Sequence, residues 1–121
     1  MSEQVGSYKV ALAALDTGGG IVSLANPEGA DVIVTKLILN VTTAATAACT
    51  VDGGIAAGAT TSADNLIDGQ DVNAATGAFA EVGSNGKRAK LWESDQYLTV
   101  SMASGAAAGL AGYAYIEYLR V

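Results

Sequence analysis

Histidine is absent from this 121-residue chain, and with it go the usual general base near neutral pH and the commonest metal ligand. Ser-His-Asp and Cys-His nucleophile systems are excluded in their ordinary forms. Cysteine occurs once, at Cys49, so neither an intrachain disulfide framework nor a multi-cysteine zinc site can form. Set in "TAACTV", Cys49 reads as a buried small hydrophobe. Proline also occurs once, and aromatics make up only 6% of a chain that is 50% hydrophobic. Much of the apolar content is therefore alanine, which contributes little per residue when buried. The predicted core is thin.

Basic residues are scarce as well, six against twelve acidic ones, for a formal net charge of -6. A phosphate backbone or an anionic bilayer would be repelled over most of such a surface, so neither nucleic acid nor membrane is an expected partner. The opening "MSEQVGSYK" is polar and lacks the apolar segment of a secretory signal. Gly, Thr, Asp or Asn interrupts every apolar run before it could span a bilayer. The expected product folds in the cytoplasm of the cell that makes it, as one domain with one modest core.

What is present is β periodicity. In "DVIVTKLILNVTT", residues 31–43, strict alternation puts Ile33, Thr35, Leu37, Leu39 and Val41 on one face, predicted to be buried. Val32, Val34, Lys36, Ile38 and Asn40 fall on the other face. "SYKVALAAL", residues 7–15, alternates similarly and runs into the turn "DTGGG". "IVSLAN" precedes Pro27, and "ACTVDGG" ends a strand at Asp52-Gly53, a dipeptide favoured in tight hairpins. A short strand "GAFAEV" at 77–82 leads to a second hairpin signal, Asn85-Gly86. "QYLTVSMA" sets Leu98, Val100 and Met102 against Tyr97, Thr99 and Ser101. The closing "GLAGYAYIEYLRV" alternates Tyr113, Tyr115, Glu117 and Leu119 with Ala114, Ile116 and Tyr118. Seven or eight short strands without a long helix predict an all-β fold, a single-domain antiparallel β-sandwich over residues 7–121 behind a flexible N-terminal arm, residues 1–6. A last strand apolar on both faces belongs in the middle of a sheet or against a neighbouring subunit, because an exposed edge of that kind invites aggregation.

Candidate sites are few. "TTSADNLIDGQDVN", residues 60–73, gathers Asp64, Asp68 and Asp71. A calcium loop needs closer alternating carboxylates and a later bidentate Glu. Ser62 or Asp64 capping one helical turn, with Asp68-Gly69 ending it, accounts for the same letters without metal, and a calcium site, then paired catalytic carboxylates, are the alternatives. In "NGKRAK", Lys87, Arg88 and Lys90 lie beside Trp92 and read as solvated hairpin charge or as a salt-sensitive contact to an acidic protein surface. The "GGG" at 18–20 has no phosphate-loop context and counts as a turn. Tyr113, Tyr115 and Tyr118 read as packing or subunit contacts, with an aromatic platform for a sugar or nucleobase as the alternative. The predicted interface joins Ser2, Glu3, Gln4 and Val5 of the arm to Tyr113 and Tyr115 of the closing strand, since a polar arm can order on contact with a neighbour. No cofactor, no metal and no enzymatic activity are expected.

The stretches "VGSYKVALAALDTGGGIVSLANPEGADVIVTKLILNVTT", "ACTVDGG", "SADNLIDGQDVN", "NGKRAKL" and "YLTVSMASGAAAGLAGYAYIEY" together resemble small structural proteins encoded beside capsid genes in tailed bacteriophages. The resemblance runs from Val5 to Tyr118 and is one of spacing and turn residues. It implies a jelly-roll-like sandwich acting as a capsid decoration or head-associated protein on the virion surface. The implied partner is the major capsid protein, and the implied state is a homo-oligomer, with a trimer as the expected count. A tail or head-fibre component, or a carbohydrate-binding β-sandwich module, are the alternatives.

Overall fold

The structure, a computed structural model, describes residues 4–73, 76–80 and 89–121. Nine strands and no helix occur among the described residues: β1 (Val5–Ala11), β2 (Val22–Ala25), β3 (Val32–Thr43), β4 (Cys49–Ala56), β5 (Ile67–Asp71), β6 (Gly77–Ala80), β7 (Lys90–Trp92), β8 (Tyr97–Gly105) and β9 (Ala111–Arg120). Antiparallel pairing joins β1 to β9, β2 to β8, β3 to both β6 and β7, and β4 to β5. The chain is thus partnered from its ends inward, like one long hairpin. Rolling that hairpin adds the pairs β3 with β9 and β4 with β8. Two sheets result: sheet I, in the order β1-β9-β3 with β6 and β7 along the far edge of β3, and sheet II, in the order β2-β8-β4-β5. This is the jelly-roll form of the antiparallel β-sandwich. Because β6 and β7 share one lateral position, each sheet is four positions wide.

The inward faces make the core. Leu39, Trp92 and Ile116 of sheet I meet Val51, Leu98 and Val100 of sheet II, all at most 1% exposed. Each such buried aliphatic side chain contributes about 1.5–3 kcal/mol. The closing strand β9 runs between β1 and β3, with Ala114, Ile116 and Tyr118 turned inward.

Several expectations are corrected. The buried face of β3 changes parity at a bulge between Val34 and Lys36. Val32 and Val34 are buried before it, and Leu37, Leu39 and Val41 after it. Thr35 is the extra residue, and its hydroxyl lies 3.1 Å from the Glu117 carbonyl and 3.0 Å from Glu117 Oε1. Asp52-Gly53 is not a turn but the middle of β4. Gly53 and Gly54 are there for close approach: a Cβ on Gly53 would stand 2.9 Å from Leu37 Cδ2, and one on Gly54 2.2 Å from Asn65 Oδ1. The first strand covers 5–11 instead of 7–15, so Val5 and Gly6, assigned to the arm, are in the sheet. A Cβ at Gly6 would meet the Tyr118 ring at 2.5 Å, so only glycine lets β1 lie against that ring. Past Ala11 the chain crosses to sheet II, where the Ala13 N–H donates to the Ile21 carbonyl at 3.0 Å.

Candidate functional site

Register places the outward side chains of sheet I in rows across its strands. Val5, Leu119, Ile33 and Leu91 stand opposite one another across β1, β9, β3 and β7. Val5 is 49% exposed, Leu91 43% and Leu119 37%. The next row holds Ser7, Glu117 and Lys36, the third Lys9, Tyr115 and Ile38, and the fourth Ala11, Tyr113 and Asn40. Lys9 Nζ lies 4.3 Å from the Tyr113 ring centroid and 5.7 Å from that of Tyr115. A shallow groove of about 360 Å³ runs between Lys9, Tyr115, Ile38, Lys36 and Glu117. No segment among the described residues covers these rows.

One corner of sheet I is clasped from its inward side. Tyr118 Oη donates to Glu28 Oε2 at 2.6 Å, and Arg120 Nε donates to Glu28 Oε1 at 3.0 Å. Arg120 Nη1 also reaches the Val5 carbonyl at 3.1 Å, and the Arg120 N–H donates to the Gln4 carbonyl at 2.6 Å. The Arg120 hydrogen bond, then that from Tyr118, holds the Glu28 carboxyl down from 4.5 to about 2. Burial first, and the bond to Glu28 second, push the Tyr118 hydroxyl up.

The outward face of sheet II is closed by its own loops. Thr99 is 0% exposed and Ser101 1%. Thr99 Oγ1 donates to the Thr61 carbonyl at 2.8 Å, the Gly19 N–H donates to Ser101 Oγ at 2.8 Å, and Ser23 Oγ donates to the Ala59 carbonyl at 2.7 Å. Charge divides the same way. The strands of sheet I carry Lys9, Lys36, Lys90 and Arg120 against Glu117, whereas those of sheet II carry Asp52, Asp68 and Asp71 and no base.

Of the predicted interface residues, Val5, Tyr113 and Tyr115 share the outward face of sheet I, whereas Gln4, one residue before β1, is placed by its carbonyl, which accepts from the Arg120 N–H. Ser2 and Glu3 lie outside the described residues, as do Asn85, Gly86, Lys87 and Arg88. Leu119 shares the tyrosines' parity along the closing strand, so it was readable there. Ile33, Leu91, Lys9 and Lys36 join the face only through register between distant segments.

The acidic stretch is no helical turn: Asp68 and Gly69 are inside β5. Asn65 replaces strand pairing by accepting from the Ile55 N–H at 2.8 Å and donating to its carbonyl at 2.9 Å. Asp52 Oδ1 accepts from the Gly69 N–H at 2.8 Å, and Asp71 Oδ1 from the Asn73 N–H at 2.8 Å. Among the described residues no group of three His, Cys, Asp or Glu side chains is placed to hold a metal ion. Trp92 is 0% exposed, with Nε1 donating to the Gln96 carbonyl at 3.0 Å, so it offers no accessible ring beside Lys90. Cys49 is buried and free, and burial pushes its thiol up.

The chain matches no family model, no curated protein and no solved structure. Its surface therefore speaks through geometry alone: a sheet face left open by the described residues, with an apolar row, an aromatic pair under an ammonium, and mixed charge between them.

Proposed function

We propose that this chain is a non-enzymatic structural protein of a phage virion, decorating the outer surface of the head as a homo-oligomer. The observation that carries the reading is the outward face of sheet I, which no described segment covers. A contiguous apolar row on an otherwise polar surface marks a protein contact, since water disfavours leaving it open. The resemblance from Val5 to Tyr118 supplies the virion context, and many copies on repeated sites give avidity from modest individual contacts. The N-terminal segment enters the sheet at Gln4, beside Val5 and Leu119, so an arm that orders on the major capsid protein would adjoin this face. A carbohydrate-binding reading fits less well, because the Lys9 ammonium already occupies the space over Tyr113 and Tyr115 that a sugar ring would need.

Co-sedimentation of the purified full chain with heads of the phage that encodes it tests the proposal. Saturable binding to heads is expected, and deleting residues 1–6 should weaken it. Binding to isolated tails instead would make the chain a fibre component. Binding to a glycan array without binding to heads would overturn the structural reading in favour of a carbohydrate module.

A further inference from the structure

We propose that the outward face of sheet I is closed by a second copy of this chain, across a two-fold axis running parallel to the strands between β9 and β3. This deepens the assembly reading above by naming the surface and the symmetry of the homotypic contact. Such an axis lays each residue of β9 over the residue that stands opposite it on β3, but in the other copy. The cross-strand register then dictates the contacts. Leu119 meets Ile33 of the second copy and Val5 meets Leu91, so the apolar row closes on itself. Tyr115 meets Ile38, and Tyr113 meets Asn40, whose amide suits a phenol hydroxyl. Glu117 meets Lys36, twice by symmetry.

That last pairing is the discriminating one. Within one chain Lys36 and Glu117 are opposite in register, yet they form no ion pair among the described residues. Glu117 takes the Thr35 hydroxyl instead. An axis at right angles to the strands would set Glu117 against itself or against Tyr115, leaving charge unpaired on burial. The parallel axis closes the apolar row on itself and sets Glu117 against Lys36, while Lys9 stays over its own tyrosine rings. Buried pairs of this kind fix orientation more than they add affinity.

Size sets the strength. From Tyr113 to Leu119 and across four strand positions, the face projects to about 440 Å² per copy at ordinary strand spacing and rise. A standard stable interface takes about 800 Å² per partner. The expected dimer is therefore weak, with a Kd in the micromolar range.

Sedimentation equilibrium of the full chain should show a monomer–dimer transition over micromolar to submillimolar concentration. Lys36→Glu and Glu117→Lys should each raise Kd by roughly tenfold or more, while circular dichroism shows both folded. An equimolar mixture of the two variants should recover the dimer, because one face then carries two acids and the other two bases. A change confined within each chain cannot be rescued by mixing. If the charge reversals fail to fold, Leu91→Asp, at a 43% exposed position, reads the same contact; loss of the dimer supports it. A wild-type chain that stays monomeric or forms trimers, a mixture of folded variants that stays monomeric, or a dimer that survives Leu91→Asp would overturn it. Head binding is scored separately by co-sedimentation, so a failed dimer and a failed head protein are told apart.

Discussion

The outward faces of the two sheets start from the same alternating strands and are finished in opposite ways. On sheet II the outward Thr99 and Ser101 are small, polar and buried, each bonded to a loop that crosses over it, and the neighbouring Ser23 bonds to the Ala59 carbonyl. On sheet I the outward side chains are larger, Val5, Leu91, Tyr113 and Leu119, and no described loop crosses them. A β-sandwich needs only one buried face per sheet. The chain uses its loop length to close one of the two remaining faces and leaves its apolar residues on the other. That division separates residues kept for stability from residues kept for contact.

Four measurements would break or sharpen it. The largest effect is expected from Gly54→Val on the covered side, where the new side chain would displace Asn65 from its two bonds to Ile55. Urea unfolding should show a loss of about 3 kcal/mol, and a near-neutral result would mean that the 57–66 loop is not held as described. Next comes Thr99→Val, which removes a fully buried hydroxyl's bond to Thr61 and strands that carbonyl. About 1–2 kcal/mol should be lost, with faster proteolysis near 57–62. On the open side, Leu119→Ser should change the stability of the monomer by no more than about 0.5 kcal/mol while abolishing self-association. Equal losses from Thr99→Val and Leu119→Ser in the monomer would erase the distinction between the faces.

The smallest effect concerns the clasp at the corner of sheet I. Glu28 titrates near 4.5 when unpaired and at about 2 in the folded chain. A depressed carboxyl contributes its stability fully above the unfolded value and loses it as pH falls through the folded one. The wild type should therefore exceed Glu28→Gln in melting temperature near neutrality, with the gap closing between pH of about 4.5 and about 2. The Glu28 and Arg120 side chains are partly solvent-accessible, so screening keeps the gap small. A gap that persists unchanged at the acid end would assign the effect to something other than this carboxylate.

Much of the architecture was legible beforehand, because alternation reports strand faces directly. Tyr113, Tyr115 and Leu119 fell on one face of the closing strand and Ala114, Ile116 and Tyr118 on the other, as the structure has them. Where the reading failed, a local rule met a non-local constraint. Thr35 inserts a bulge that inverts parity for half of β3, and nothing in its neighbours' hydrophobicity announces that. Asp52-Gly53 carries the letters of a hairpin, but Leu37 and Asn65, distant in sequence, are what require glycine at 53 and 54. The burial of Thr99 and Ser101 was not readable, since alternation says which way a side chain points and not what lies above it. The apolar row was hidden for the same reason: Val5, Ile33, Leu91 and Leu119 become neighbours only once four strands are in register.

Pairing β1 with β9 has a mechanical consequence. Val5 stands opposite Leu119, so the two chain ends leave the sheet side by side at one corner. Force applied between the termini would pull across the strands and load the hydrogen bonds of β1 one at a time, like a zipper. Force applied between the N-terminus and the far end of the sandwich, reached by Ala11 and Tyr113, would instead run along the strands and load those bonds together. A chain tethered by its first residues and pulled from its opposite end is thus held in its strong direction, and single-molecule pulling along the two axes should give a low and a high rupture force respectively.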